Sequence, residues 1–485
     1  MPRRPRIQLD GVPLHIVQRG HNREPCFFAT LKDAENNFTT TTHDAMGNVL
    51  SITDARNAQS AMTYDPLGRL LTLTQAKGTP DEAATTHTYD KTGNRKTVSD
   101  ALGRVTQYQY DNLNRLVKVI DAKLGETRMT YDAEGRKTED LDADNVKLAT
   151  AYDGDGRLQS TTDGAGTVTT YLYGSASDGQ GGLLAALQYP TYREDYQYDY
   201  RNRRLSTTRH LNLTTKFIPR TEYDASGNPV KETDAKGNVT ASAYDRHHQL
   251  QSTTDAAGGV TGYEYDTRSN LITVTDAKGA ITRYAYDKAG RKIKETRPGG
   301  EITLYTYDGA DNLTGTTAAS GRKRTYTFDA QRRPVKEEHY NAGASAGTTA
   351  ATVARTIVYT YDKASNLSAY NDTETSGATN TLISAGTYTY DERNRQTSQT
   401  IDYGAFSKTH RFAYTAAGRS LSRTDPGASA GTPAHTLAYD SAGRVNKISL
   451  PTGAGDISVS GYTWNQMNEK WLRKFEQRVK WKLRA

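Results

Sequence analysis

A fixed period of 21 residues constrains this chain more than any other feature of its sequence. An aromatic residue followed by an acidic one recurs at this spacing at residues 89, 110, 131 and 152, and again at 223, 244, 265, 286, 307 and 328. Such a period is typical of architectures in which each unit packs only against its neighbours. The length of 485 residues is therefore a poor guide to the number of domains.

Each repeat contains two β-rich runs separated by turns. Residues 271–275 alternate in the manner of a strand with two faces, and Tyr284 and Tyr286 lie two apart on one face. The turns read Asp-x-x-Gly, as at 276–279 and 287–290. Aspartate can accept hydrogen bonds from the backbone of such a turn, and glycine supplies positive φ. Each repeat is therefore predicted to be a β-hairpin, and successive hairpins to pair into one long antiparallel sheet.

The repeat motif resembles that of the RHS, or YD-repeat, family. The stretch Tyr64-Asp65-Pro66-Leu67-Gly68-Arg69-Leu70 and the preceding Thr53-Asp54-Ala55 carry the resemblance, which extends over residues 36–465. It implies an all-β fold of hairpins in a long curled sheet that forms part of a hollow shell. In bacterial polymorphic toxins such a shell encloses a variable C-terminal toxic domain. The resemblance thus implies a non-enzymatic protein, truncated here, that encapsulates a toxin polypeptide or interacts with a surface.

The composition fits a thin, wet sheet better than a compact globule. Hydrophobic residues make up 35% of the chain and the mean hydropathy is −0.79, yet there are 32 tyrosines. Tyrosine combines an apolar ring with a polar tip, which suits a surface in contact with water. The strict period favours a folded repeat over disorder.

The cysteine count and the search for targeting signals in the sequence bear on localisation. Cys26 is the only cysteine, so a disulfide framework is excluded. The sequence contains neither an apolar run of the ~18 residues that a membrane helix needs nor a secretory signal. We therefore expect a cytoplasmic protein, unless a signal-independent secretion system exports it.

The first 28 residues do not follow the repeat and resemble the N-terminus of REP-associated tyrosine transposases. Those enzymes use a tyrosine nucleophile and a metal held by a His-hydrophobic-His pair. None of the ten histidines here has another two positions on, so no catalytic or metal residue is carried over. Residues 1–35 are interpreted as a basic leader: either a fused gene end, which would make the protein an inactive transposase–RHS fusion, or an arm that contacts nucleic acid weakly and non-specifically.

The last twenty residues form a second segment outside the repeat. Apolar residues recur at helical spacing among lysines and arginines, at Met467, Trp471, Leu472, Phe475 and Val479. Residues 466–485 are therefore predicted to form a short basic amphipathic helix. It is interpreted as a cap on the last hairpin or a tail from a frame change, with a membrane-surface or acidic-partner segment as the alternative.

Departures from the 21-residue period are predicted to fall in turns. Residues 78–81, 174–182 and 340–349 are rich in Gly, Ala, Ser and Thr and are expected to form loops. The last aromatic pairs, at 390, 414, 439 and 464, are spaced more loosely. This spacing is interpreted as a decay of the array towards its end.

The sequence predicts no catalytic, cofactor-binding or metal-binding residue. One aspartate per turn is explained by turn hydrogen bonds. The stretches 142–145 and 153–156 begin like calcium loops but lack the glutamate at the twelfth position. His247 and His248 fall in a turn and are expected to be exposed. Asp425-Pro426-Gly427 is only a fragmentary echo of the family's self-protease. An alternative function is carbohydrate or cell-surface binding, with rows of tyrosines stacking on sugars.

Overall fold

The computed structural model describes residues 27–175, 181–210, 216–341, 352–424, 435–450, 457–459, 463–464 and 470–471. Throughout these residues the chain forms strands joined by turns and bends, and none of them is helical. The predicted all-β fold of repeated antiparallel hairpins is therefore confirmed. The division into residues 1–35, 36–465 and 466–485 stays a prediction, although the first strand already begins at Phe27.

The chain divides into two compact units, residues 1–108 with 243–407 and residues 109–242 with 408–485. The strands that lie mostly in unit 1 are β1 Phe27–Lys32, β2 Phe38–His43, β3 Val49–Thr53, β4 Gln59–Tyr64, β5 Leu70–Gln75, β6 Ala83–Tyr89, β7 Arg95–Ser99, β8 Val105–Tyr110, β22 Leu250–Thr254, β23 Val260–Tyr265, β24 Leu271–Thr275, β25 Ile281–Tyr286, β26 Lys292–Thr296, β27 Ile302–Tyr307, β28 Leu313–Thr317, β29 Lys323–Phe328, β30 Pro334–Tyr340, β31 Val353–Tyr361, β32 Leu367–Ser376, β33 Thr379–Tyr390 and β34 Gln396–Asp402.

The strands that lie mostly in unit 2 are β9 Leu116–Ile120, β10 Glu126–Tyr131, β11 Lys137–Leu141, β12 Lys147–Tyr152, β13 Leu158–Asp163, β14 Val168–Tyr173, β15 Leu184–Gln188, β16 Arg193–Tyr198, β17 Arg204–His210, β18 Lys216–Phe217, β19 Arg220–Tyr223, β20 Pro229–Thr233, β21 Val239–Tyr244, β35 Ser407–Tyr414, β36 Ser420–Arg423, β37 His435–Tyr439, β38 Val445–Leu450, β39 Ile457–Val459, β40 Thr463–Trp464 and β41 Lys470–Trp471.

Within each unit, strands pair antiparallel with their neighbours in the sequence. Unit 1 contains the runs β1–β8 and β22–β34, and unit 2 contains β9–β21 and β35–β39, with β17 pairing to both β18 and β19. Because neighbours are antiparallel, successive turns lie on alternate edges of the sheet. We call the edge with the turns that follow the motif tyrosines, such as 65–69, the Tyr-Asp edge. The opposite edge, with turns such as 54–58, is the Thr-Asp edge.

The turns have the hydrogen bonds that the sequence predicts. Asp65 Oδ1 accepts the backbone N–H groups of Leu67 and Arg69, each at 2.9 Å. The fourth turn residue, Gly68, has φ +77°, a conformation that glycine adopts without strain. Turns without glycine place another residue there, as Leu124 does with φ +64°. The hydrogen bonds and the register shift beside each motif tyrosine thus fix the hairpin geometry.

The sheet is thin and has little core. Along β27, Thr303, Tyr305 and Tyr307 are half-buried, whereas Ile302 and Leu304 on the other face are exposed. No large side chain in the described part of the chain is fully buried. This agrees with the low mean hydropathy and with tyrosine as the main aromatic residue.

The interpretation of the loose spacing of the last aromatic pairs as decay stays a prediction, and the strands directly before those pairs are long. Among the described strands, β31, β32 and β33 are the longest, with 9, 10 and 12 residues. Their backbone pairing continues along these lengths. Gly386 lies opposite Tyr370 on the neighbouring strand, and a Cβ there would lie 2.2 Å from the tyrosine ring.

The predicted loops and ends are only partly described. Residues 78–81 lie in the predicted turn between β5 and β6. Much of the loops at 174–182 and 340–349, the self-protease echo at 425–427, the leader up to residue 26 and residues 472–485 lie outside the described residues. The prediction of a helix is wrong at Lys470–Trp471, which pairs with Thr463–Trp464 as a strand, because backbone pairing with a neighbouring strand overrides a weak helical period.

Candidate functional site: contacts between the turns

An arginine in about half of the motif turns links one repeat to the next. Arg291 Nε donates a hydrogen bond to Asp287 Oδ2 at 2.6 Å, and its guanidinium lies 4.9 Å from the ring centroid of Tyr307. The same arginine donates to the carbonyl of Asp308 at 2.9 Å. Tyr307 Oη donates in turn to the carbonyl of Lys292 at 2.9 Å. This series of contacts combines an ion pair, a cation–π contact and hydrogen bonds. We call it the ladder.

This ladder recurs along both units. Arginine stacks on the next motif tyrosine, at 4.6 to 6.0 Å, in the pairs Arg69–Tyr89, Arg115–Tyr131, Arg136–Tyr152, Arg157–Tyr173, Arg203–Tyr223, Arg333–Tyr361 and Arg419–Tyr439. In each pair one ring face is covered by a guanidinium. The motif tyrosines therefore hold the repeats together and are not open stacking platforms.

In unit 1, turns of the two edges contact each other across a long separation in sequence. Arg332 on the Tyr-Asp edge lies 3.4 Å from the carboxylate of Asp54 on the Thr-Asp edge. Arg56, two residues after Asp54, donates to the carbonyl of Asp329 at 2.9 Å and lies 3.7 Å from the carboxylate of Asp308. Turns of both edges supply a carboxylate and a positively charged hydrogen-bond donor. The two edges are therefore complementary in charge.

The next turn of the Thr-Asp edge extends this contact. The carboxylate of Asp81 accepts the backbone N–H of Ala330 at 3.3 Å and lies 3.5 Å from the guanidinium of Arg333. The side chain of Gln331 donates to the carbonyl of Asp81. A pocket of roughly 170 Å³ remains between these turns, lined by polar residues that include Asp54, Gln331 and Arg332.

Unit 2 contains a contact of the same kind. Arg419 lies 2.5 Å from the carboxylate of Asp144 and 2.6 Å from that of Asp142. Asp144 also accepts the hydroxyl of Thr415 at 2.6 Å and the backbone N–H of Ala417 at 2.9 Å. Burial alone would raise the pKa of Asp144, but the hydrogen bonds from Thr415, Ala417 and Arg419 outweigh it and hold the pKa below its usual value.

A second pair of turns in unit 2 approaches even more closely. Arg444 lies 3.6 Å from the carboxylate of Asp163. A Cβ built on Gly164 would lie 1.9 Å from the carbonyl oxygen of Ser441. We call all these turn-to-turn contacts, in either unit, the seams.

The exposure of one turn position is low in most turns of the seams, although the turn at 287–291, where the backbone N–H of Lys288 donates to the Glu35 carboxylate at 2.6 Å, is exposed at this position. We call the residue two after the first residue of a turn its tip. Tips of the Tyr-Asp edge are exposed at Met46, Leu67, Thr92, Leu113, Glu134, Asp155, Arg201, Ser226, His247, Arg268 and Ala289. They are buried or half-buried at Ala310, Gln331, Ala364, Arg393, Ala417 and Ala442. Four of these six covered tips are alanine, because a small side chain lets two edges approach.

Sequence reasoning missed the seams. In the sequence, residues 142–145 resemble only the start of a calcium loop. In the structure, Asp142 and Asp144 instead bind Arg419. The alanine tips after residue 308 were a signal that could have been noticed, since the earlier Tyr-Asp turns carry other residues up to Arg268. The prediction for the two histidines is confirmed: both are exposed, with 64% exposure for the His247 side chain.

The other titratable cluster lies on the long hairpins of unit 1. Glu337 contacts His339 at 2.6 Å and accepts the hydroxyl of Tyr359 at 3.3 Å. Arg355 pairs with the buried Asp372. Burial and the Glu337 carboxylate raise the pKa of Tyr359 to about 12, so this phenol stays protonated at neutral pH. The Glu337 and Asp372 carboxylates in this cluster thus each have a partner.

Two searches restricted to the described residues bear on metals and membranes. No group of three or more His, Cys, Asp or Glu side chains in them has the geometry to hold a metal ion. The same residues include no helix long and apolar enough to span a bilayer.

Comparison with known families identifies the repeat. The family model described as RHS Repeat matches residues 43–80, 89–123, 223–260, 244–281, 265–302 and 307–345. These ranges of the chain therefore contain RHS repeats. A comparison with curated protein sequences finds no match. The resemblance of residues 1–28 to transposases has no counterpart in these comparisons and stays a prediction.

Solved structures share the fold. The chain is similar to one in the Photorhabdus luminescens Tc holotoxin pore with the mutation TccC3-D651A, at 16% identity and a TM-score of 0.57, over 87% of this chain and 28% of that chain. It is also similar to TcdB2-TccC3 without its hypervariable C-terminal region, at 15% identity and a TM-score of 0.58, over 90% of this chain and 31% of that chain. The complex TcdB2-TccC3-Cdc42 gives 14% identity and a TM-score of 0.58, over 93% and 33%.

This likeness concerns the fold alone. The identities of 14 to 16% carry no residue roles from those proteins to this one. The chain spans only about a third of the length of the solved chains that it matches.

Proposed function

We propose that this chain forms part of the wall of an RHS-type shell in a bacterial toxin system, where it encloses or binds a toxin polypeptide and has no enzymatic role of its own. The observation that carries the proposal is the seam. In each unit a Thr-Asp edge meets a Tyr-Asp edge that lies 249 to 290 residues further along the chain. Edges joined in this way would help to retain an enclosed polypeptide.

The similar structures support the toxin context. They contain TcdB2 and TccC3, and one of them lacks a hypervariable C-terminal region. Because this chain spans only about a third of those chains, we propose that it is a truncated wall segment.

The faces of the sheet suit a container for an unfolded polypeptide. Hydroxyl pairs such as Thr63–Thr72 and Thr88–Thr97, each at 2.6 Å, lie on the face opposite the motif tyrosines. Large apolar side chains are also exposed on the strands, as at Ile302 and Leu304 of β27, and they alternate with half-buried polar or aromatic residues. A surface of this kind holds apolar segments weakly, so it would confine a chain without trapping it.

Protease protection of a fused reporter tests the proposal. An unstructured reporter is added after Ala485, and its digestion is followed in the intact protein and in the double variant Arg333→Glu/Arg419→Glu, which reverses charge in both units' seams. We expect the reporter to be protected in the intact protein and digested rapidly in the variant. The control, Lys236→Glu/Lys278→Glu, makes the same charge change at exposed turn tips and should leave protection intact. Equal digestion of the reporter in all three proteins would contradict the proposal.

Carbohydrate binding is a second candidate, supported by one exposed aromatic pair. Tyr403 and Phe406 stack at 5.1 Å between ring centroids and are 46% and 54% exposed. Such a platform can stack on a sugar ring, which the motif tyrosines under arginine cannot do as freely. Glycan-array binding that is lost on Tyr403→Ala, and retained on Ala substitution of the exposed Tyr200, would support this function. Absence of binding to any glycan would exclude it.

A further inference from the structure

Two successive turns on the Thr-Asp edge of unit 1 are uncovered. In the seam of this unit the first residue of a Thr-Asp turn is buried, as at Asp54. The corresponding residues Asp255 and Asp276 are exposed. The Oδ1 atom of each accepts two backbone N–H groups of its own turn, whereas Oδ2 has no hydrogen-bond partner in the part of the chain that the structure describes. We call the turns 255–259 and 276–280 the open row.

The open row keeps the feature that lets turns approach each other in the seams. There the second residues of two docked turns meet: a Cβ on Gly309 would lie 3.0 Å from the Cβ of Ala55, and Gly164 makes the same kind of approach in unit 2. The second residues of the open row are Ala256 and Ala277, and both are exposed. Their small side chains leave the backbone of the open row accessible to a further turn.

Unit 1 also contains uncovered turns of the opposite kind. The turns after β2 and β4 lie on the Tyr-Asp edge, and their tips, Met46 and Leu67, are exposed. Successive turns of one edge are two strands apart in both rows, so the spacing of these turns matches that of the open row. A large tip is compatible with docking, because the covered tips of unit 1 include Gln331 and Arg393.

Arg69 supplies the charge that an incoming carboxylate requires. Like Arg333 in the seam, it pairs with the first aspartate of its own turn and lies over the next motif tyrosine. Arg333 also lies 3.5 Å from the carboxylate of Asp81 across the seam, and its side chain is 13% exposed. The side chain of Arg69 is 28% exposed. An aspartate of the open row can therefore take the place beside Arg69 that Asp81 has beside Arg333.

We propose that the open row binds the Tyr-Asp turns after β2 and β4 of a second copy of this chain, with Arg69 of one copy paired to Asp255 or Asp276 of the other. The contact repeats, between copies, the recognition between edges that the seams show within each unit. Because two different surfaces meet, a dimer still has one free surface of each kind, and association can continue. The inference does not depend on an enclosed polypeptide.

Sedimentation velocity of the full chain tests the proposal. We expect the sedimentation coefficient to rise with protein concentration, and to rise less in high salt because exposed ion pairs are screened. Two variants each block one surface: Met46→Asp/Leu67→Asp sets carboxylates against those of the open row, and Ala256→Arg/Ala277→Arg sets cations against Arg69. Each variant alone should be monomeric. An equimolar mixture should form a dimer of one copy of each, since each protein retains the surface that the other lacks.

Two controls accompany this experiment. Both blocking variants should keep the urea midpoint of the unsubstituted chain, so that loss of association does not reflect unfolding. The variant Ser226→Asp/His247→Asp, at exposed tips outside the proposed contact, should associate like the unsubstituted chain. A chain that stays monomeric at every concentration would overturn the proposal, and so would a mixture of the blocking variants that stays monomeric. Equal loss of association in the control would overturn the assignment to these turns.

A cross-link between copies gives an independent measurement that needs no blocking variant. In a Cys26→Ser background, Pro66→Cys mixed with Ala256→Cys or with Ala277→Cys should form a disulfide between copies under mild oxidation. Pro66→Cys mixed with Ala289→Cys, an exposed position of another turn, should not. Equal yields from all these mixtures would show random collision and contradict the contact.

Discussion

Gly164 and Ser441 lie so close in unit 2 that a Cβ on the glycine would come within 1.9 Å of the serine carbonyl oxygen. Neither residue belongs to the repeat signature in an obvious way. Their contact shows that backbone atoms of the two turns pack directly against each other. The volume of the side chains at such turns therefore controls how closely two sheet edges can approach.

We expect Gly164→Ala to weaken the seam of unit 2. The added methyl group must displace backbone, and overpacking of this kind costs about 1–3 kcal/mol of unfolding free energy. The measurement is urea unfolding followed by tyrosine fluorescence. The matched control is Gly154→Ala, where a Cβ meets nothing within 4 Å; it should leave stability unchanged or raise it slightly. Equal effects of both substitutions would show that the close approach has no energetic consequence.

Tip size should decide docking in unit 1. Ala310 is a buried tip and Ala257, at the same position of the turn at 255–259, is an exposed one. We expect Ala310→Leu to lower the unfolding free energy by about 1–3 kcal/mol, because the larger side chain has no space between the turns. The same change at Ala257 should have an effect within about 0.5 kcal/mol. Hydrogen exchange at residues 54–58 gives a local readout, and unaltered exchange in the Ala310→Leu protein would contradict the role of the tip.

The seam of unit 2 should be lost in acid. The pKa of Asp144 is lowered in the folded protein relative to its ordinary value of 3.8. The carboxylate therefore contributes stability that is present above about pH 4, its pKa in the unfolded chain, and is lost as the pH falls through the lower folded-state pKa. Hydrogen exchange at residues 415–419, measured from pH 6 downwards and corrected for the intrinsic rate, should increase only below that point. In Asp144→Asn the exchange should already be fast at pH 6, and a wild-type profile in this variant would argue against the assignment.

Loss of one motif hydroxyl should cost a single hydrogen bond. Tyr307→Phe removes the 2.9 Å bond to the carbonyl of Lys292 and leaves the ring beneath Arg291. We expect a decrease of about 0.5–1.5 kcal/mol in unfolding free energy. The control Tyr200→Phe, at a tyrosine that is 84% exposed, should be neutral. An equal decrease in unfolding free energy in both variants would show that the hydrogen bond of Tyr307 makes no specific contribution to stability.

Much of the local structure could be predicted because its causes are local. The bonds from Asp65 Oδ1 run to residues two and four positions away, so the Asp-x-x-Gly spacing is sufficient to indicate the turn. The shared face of Tyr305 and Tyr307 follows from the two-residue period of a strand. The prediction failed where pairing across strands prevails over spacing, as at Lys470–Trp471.

The ladder was only half visible in the sequence. The aspartate and tyrosine of the motif were recognised, but the stacking of Arg291 on Tyr307 involves a residue of the following repeat. Its signal was present in the recurrence of an arginine four residues after the motif aspartate, as in Asp287 and Arg291. It could not be interpreted until the register between neighbouring strands was known.

The sequence by itself determined that this protein is an array of antiparallel hairpins with aspartate turns on both edges, because each of those features depends on residues within one repeat. Only the tertiary structure decided which turns meet. Asp144 and Arg419 form an ion pair although they lie 275 residues apart in the sequence. No single repeat encodes such a contact, because the position of each turn depends on the twist of many strand pairs, so the partners in the seams emerge only from the folded chain.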